Sequence, residues 1–186
     1  VIFDCYDSDV HAIEYAKKND VTVFALAASL KPKGFKLEVL GMPKGLFLQR
    51  IYRLFFFLDF KKMNDTVDKL KDYNVVISHF YPMNWVAHKA KKKYSIKYIF
   101  HNHGIGYSRL FGNVFEKLYM RLFSFLNKLS LSNVDEAISI SRFMQSELKK
   151  EAGLNSKVVY DKIGKKFKKG IDGIKIRKRL LNNPYT

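Results

Sequence analysis

Two short segments carry most of the residues that can do chemistry. One is Ser78-His79-Phe80-Tyr81, closing the apolar run VVIS; the other is His101-Asn102-His103-Gly104, closing the run YIF at residues 98–100. An imidazole at a strand end can serve as a general base, a hydrogen-bond donor or a phosphate contact. Taken singly, His79 and His101 fit either such a role or an ordinary polar residue where a strand gives way to a loop. His103 is the better functional candidate, because Gly104-Ile105-Gly106 follows it and glycine lets the backbone approach a ligand. No metal is expected. His101 and His103 are taken to project from opposite faces of their strand, and no Asp, Glu or Cys stands nearby to complete a ligand set.

These segments need a scaffold, and the hydrophobic pattern predicts one. Apolar β-branched runs alternate with helical patterns, the signature of βα units around a parallel sheet. Strands are expected at 1–4, 21–27, 35–41, 75–78, 98–102, 137–140 and 157–160. Helices are expected at 10–18, 46–73, 82–94, 113–131 and 142–151. Ser141 is placed to cap the last helix and Gly153 to end it. Leu118, Leu122, Phe125 and Leu129 form one apolar stripe of the helix at 113–131. The first crossover is short, so segments are expected to be missing after Ser8 and after Lys18.

Composition narrows the class. The chain has 186 residues, 47% hydrophobic, enough for one α/β domain with a core and too few for two. The expected division is a Rossmann-like domain over 1–168 and a basic tail over 169–186. Lys and Arg number 34 against 17 Asp and Glu, a net charge of +17 that predicts an anionic partner. Cys5 is the one cysteine, which excludes an intrachain disulfide and any cysteine-cluster metal site. No signal peptide is visible, and no apolar run nears the ~20 residues that span a bilayer. A cytoplasmic protein, peripheral on the inner face of the membrane, is the expectation.

Two stretches mix cations with aromatics. Residues 46–62 set Arg50, Arg53, Lys61 and Lys62 among Phe and Tyr side chains, and residues 106–128 do the same with Arg109, Lys117, Arg121 and Lys128. A basic amphipathic helix can lie among lipid headgroups. For the first stretch, membrane contact and core packing both fit. For the second, core packing with a solvated cationic rim is expected.

The order of motifs resembles family 4 of the retaining glycosyltransferases, which have the two-domain GT-B architecture. VVISHFYPMNW and YIFHNHG are similar to the family's two histidine-bearing strand ends. AISISRFMQSEL is similar to its strand-Ser-helix element, and KVVYDKIGKKF to its hinge segment. The resemblance covers about residues 75–168 and implies the acceptor-side half of a glycosyltransferase. It places His103 against the transferred sugar. It places His79, Tyr81, Asn84, Asn102, Gly104 and Tyr107 on the acceptor side, and Ser8, Ser141 and Arg142 in the donor-side cleft. Two departures stand out: no Gly-Gly loop follows Ser8, and Asp161-Lys162 replace the usual Asn-Gly.

The implied substrates are a nucleotide-sugar donor, held mainly by a C-terminal domain beyond Thr186, and a saccharide or lipid-linked acceptor. No cofactor is expected, and this piece alone is expected to be inactive. Two competing readings use the same charge. One is a basic nucleic-acid-binding α/β protein, disfavoured because no zinc finger, RNA-recognition motif or helix-turn-helix signature is present. The other is a membrane-docking or sugar-binding module without catalysis.

Overall fold

A computed structural model describes residues 1–6, 10–29, 31–32, 34–104 and 112–160. Ser8, Tyr107 and the basic tail expected at 169–186 lie outside the described residues. The chain alternates strands and helices as its pattern predicts: β1 (Ile2–Tyr6), α1 (Val10–Ala16), β2 (Thr22–Ala28), β3 (Lys36–Val39), α2 (Leu46–Phe55), α3 (Phe60–Asp68), β4 (Val75–Ser78), α4 (Asn84–Tyr94), β5 (Lys97–Asn102), α5 (Val114–Ser130), β6 (Glu136–Ser139), α6 (Arg142–Ala152) and β7 (Lys157–Val158). All strand pairs are parallel, in the order β3-β2-β1-β4-β5-β6-β7.

β2 shows why the sheet needs cover on two sides. Its residues are buried in alternation toward opposite faces. Val23 and Ala25 pack with Ala12 of α1. Phe24 and Leu26 join the larger core with Met63 and Val67 of α3, Val86 and Ala90 of α4, and Leu148 of α6. This is the Rossmann-like arrangement expected from the sequence. The first crossover closes with a seven-residue α1 and a turn in which Lys18 N–H donates to Tyr15 O at 3.4 Å.

The helix expected over 46–73 is two helices. After Phe55 the chain tightens into a 3-10 turn at Phe56–Leu58, and Asp59 then caps α3 by accepting from Lys62 N–H at 3.2 Å. Phe56, the first residue of the turn, is fully buried and belongs to the larger core. At α6 the expected devices are present: Ser141 Oγ accepts from Met144 N–H, and Gly153, at φ 74°, donates to Lys149 O.

α5 is apolar on more than one side, and the core does not take the stripe expected. Met120, Leu126, Asn127 and Ser130 are buried. Leu118, Leu122, Phe125 and Leu129 are exposed, as is Phe115 at 82%. The two stripes lie on different sides of the helix, and α4 meets the less apolar one at Asn127. Core packing was the expectation for the aromatics of 106–128; of the described ones, Phe115 and Phe125 face outward while Tyr119 and Phe123 are half-buried.

Candidate active site

The strand order reverses between β1 and β4: from β1 the chain moves out through β2 and β3, then returns to build β4 to β7 on the other side. In such open sheets the crevice beyond the carboxyl ends, at the reversal, is where ligands bind. His79 emerges from β4 at that point, and its N–H donates to Ile2 O of β1 at 3.2 Å.

The two histidine segments meet because β4 and β5 are neighbours in register. Val76 pairs with Tyr98 and Ser78 with Phe100, so His79 and His101 continue side by side. Residues two apart on a strand share a face, which sets His103 beside His101. The His101 and His103 ring centroids are 4.4 Å apart, and each lies 5.0 Å from that of His79. The expectation that His101 and His103 point to opposite faces is thereby overturned, and with it one of the two grounds for expecting no metal. His79 Nδ1 and His103 Nε2 are 2.8 Å apart, a hydrogen bond whose direction depends on the tautomers. His79 and His101 are buried and His103 is half-buried. Tyr15 of α1 brings its hydroxyl to 3.4 Å from His101 Nδ1, and the Phe80 ring lies 5.5 Å from that of His103.

Asn102 organises the turn between them. Its Nδ2 donates to Ser139 Oγ at 3.2 Å and to Met144 O at 3.0 Å, while its Oδ1 accepts from Gly104 N–H at 3.1 Å. One fully buried amide thus ties β5 to β6, to α6 and to the turn after His103. Gly104 sits at φ 155°, where an L side chain is rarely found. The sequence places Asn102 among acceptor contacts; in the fold its amide is committed to holding His103 in place.

Asn84 and Tyr81 are likewise turned into the fold. Asn84 Nδ2 donates to Asn127 Oδ1 at 2.9 Å, joining α4 to α5. Tyr81 donates its hydroxyl to Leu54 O at 2.6 Å, and burial pushes its phenol well above the ordinary tyrosine range. Its ring packs edge-on against Phe123 with centroids 4.6 Å apart. Between these groups lies a mostly apolar cavity of about 270 Å³, with His79, Tyr81, Phe100 and Gly104 on one side and Met120, Phe123 and Asn127 on the other. A larger cavity, about 680 Å³, opens among Val1, Asn19, Thr22, Asp72 and Tyr73. It lies where strands begin, the wrong end of the sheet for a ligand site of this fold.

Ser141 and Arg142 follow β6 on the same edge as the histidines. The Ser141 hydroxyl is engaged as the helix cap, and Arg142 is exposed. The four cations of 46–62 separate. Arg50 makes a two-pronged ion pair with Glu116 of α5 at 2.8 and 2.9 Å and lies over the Tyr119 ring. Lys62 turns inward to Gly41 O and Tyr52 Oη, both at 2.8 Å. Arg53 is half-buried and Lys61 exposed. Tyr15, Met120, Phe123 and Asn127 are site residues that the sequence reading missed. The last three recur at helical spacing, and a polar Asn closing an apolar stripe was the available signal.

The family model described as Glycosyltransferase Family 4 matches residues 12–160. No curated protein sequence matches the chain. Among solved structures, Anabaena HepE (Alr3699) in complex with UDP and glucose superposes with a TM-score of 0.60 at 16% identity, covering 96% of this chain and 50% of HepE. The HepE complex with UDP-glucose gives 0.58 at 17% identity, covering 98% and 50%. The chain therefore spans about half the length of these structures, and at such identity the likeness speaks for the fold. The matched residues run from α1 past β7 and include the strand ends that bring His79, His101 and His103 together; the chain belongs to Glycosyltransferase Family 4.

Proposed function

We propose that this chain is the acceptor-side half of an enzyme that transfers a sugar from a nucleotide-sugar donor to a saccharide or lipid-linked acceptor, with retention at the anomeric carbon. The observation that carries it is the histidine group at the carboxyl ends of β4 and β5, opening beside the 270 Å³ cavity. His103 faces the transferred sugar in this reading. The tautomer of His79 decides whether His103 presents a donor or an acceptor to a sugar hydroxyl, since the two share the 2.8 Å hydrogen bond. Tyr81 and Gly104 form walls for the acceptor, and Asn84 and Asn102 position those walls. Ser141 and Arg142 stand toward the donor, which a second domain holds. HepE binds UDP and UDP-glucose, which supports a uridine nucleotide sugar as the first donor to test.

In the enzyme that contains this chain, His103→Ala lowers turnover by about 10²-fold or more, the usual contribution of a positioned imidazole, with the fold retained by circular dichroism. An unaffected rate removes His103 from the mechanism. Failure to bind or turn over any nucleotide sugar, whatever the acceptor, sinks the proposal as a whole.

A membrane-bound acceptor is favoured by one specific observation. α2 exposes Leu46, Phe47 and Leu48, and α5 exposes Phe115, Leu118 and Phe125. The two helices are pinned side by side by the Arg50–Glu116 pair and by Tyr119 Oη donating to Arg50 O at 3.2 Å. A headgroup layer would cover this apolar surface, with Lys61 and neighbouring cations meeting phosphates. Among the described residues no helix is long and apolar enough to cross a membrane.

A further inference from the structure

We propose that His79, His101 and His103 bind a divalent late transition-metal ion of the zinc class. One ring nitrogen from each side chain lies within 4.8 Å of the other two. Among the described residues, no other set of three such ligating side chains comes so close. Tetrahedral zinc with bonds of about 2.0–2.1 Å needs nitrogens about 3.3 Å apart. The His79–His103 contact of 2.8 Å must open slightly, and the wider separations must close by ~1.5 Å or less. Rotation of the rings would have to supply these shifts, since β4 and β5 are fixed by their pairing.

The backbone is already placed for the task. His79 is held by its N–H bond to Ile2 O, His101 belongs to β5, and Asn102 braces the turn that carries His103. The ligand set is three imidazoles with no carboxylate, which selects zinc, cobalt, nickel or copper over magnesium and calcium. In a neutral trio one N–H···N bond joins two rings, whereas an ion draws a lone pair from all three at once. The ion enters against a chain charge of +17, so affinity comes from those lone pairs and not from the surrounding field. The fourth position would take an oxygen, from water or from a hydroxyl or phosphate group reaching the cleft. The ion would engage the same His103 that the proposed function sets against the sugar, and metal binding is therefore read separately from turnover.

The test uses the purified chain, stripped with chelator and titrated with Co²⁺. One equivalent is expected to bind, with the visible bands of four-coordinate cobalt, and to be displaced by Zn²⁺. By NMR, Zn²⁺ moves the ring signals of His79, His101 and His103 but not of His88, and Mg²⁺ moves none. His79→Ala and His103→Ala each weaken binding by about tenfold or more. If either variant unfolds, the ring signals of the wild-type chain decide. Absence of saturable binding, three unmoved ring signals, or unchanged affinity in both variants overturns the proposal. Each of these leaves nucleotide-sugar turnover, measured separately, as it was.

Discussion

Asn102 shows how much one side chain can position. Its amide makes three hydrogen bonds inside the protein, and no solvent is there to replace them. Asn102→Ala strands buried partners on β6, α6 and the Gly104 turn, and is expected to cost about 2–4 kcal/mol. Urea unfolding checks this: the midpoint should fall with the slope unchanged. A shift under 1 kcal/mol, by the lower bound for a stranded group (~1 kcal/mol), would mean that the turn is held by something else. At this scale the sequence showed the right letters. His79 and the His-Asn-His-Gly run stand out as chemistry. Whether Asn102 faces a ligand or a neighbouring strand does not follow from its identity, because an amide serves both.

At the scale of elements, two features were hidden for different reasons. The break between α2 and α3 has no Gly or Pro, and only Asp59, a residue type that favours the N-cap, marks it. On α5 the most apolar stripe is the exposed one, so periodicity located a face but not its direction. The junction of α4, β5 and β6 rests on another acidic residue. The Asp135 carboxylate accepts from Lys91 Nζ and, at 2.8 Å, from Tyr98 N–H. Lys91 first, and then the Tyr98 amide, hold it below the ordinary carboxylate range. A depressed carboxyl stabilises the fold above its unfolded value of about 3.9. That contribution is lost as pH falls from there through the lower folded value. Asp135→Asn should therefore flatten the acid limb of a stability–pH curve. Glu38, Asp68 and Glu136 are depressed too and keep part of the slope. An identical curve for the variant would contradict this assignment.

For the whole molecule, charge and exposed apolar surface act together. Each inserted Phe or Leu contributes about 1.5–3 kcal/mol, against about 1 kcal/mol for a cation near an anionic surface. Arg50 and Lys62 are already engaged within the fold, so the apolar side chains dominate any proposed docking. Vesicles containing anionic lipid should sediment the chain. The Phe115→Glu, Leu118→Glu double variant should weaken that binding by about 100-fold. Both side chains are well exposed, at 82% and 64%, so the fold should persist. Equal sedimentation of variant and wild type would remove α5 from the docking surface.

The sequence by itself determined the parallel α/β class, the succession of strands, the helix caps at Ser141 and Gly153, and the strand ends that carry histidine. Period-two and period-3.6 patterns and local hydrogen-bond chemistry are properties of neighbouring residues. Tertiary structure decided what depends on residues far apart in the chain. It set β4 beside β5 in the register that gathers three imidazoles, and it chose which side of α5 meets the core. It also drew the amides of Asn84 and Asn102 inward. Strand order and register set those contacts, and a pattern read along one strand does not contain the identity of its neighbour.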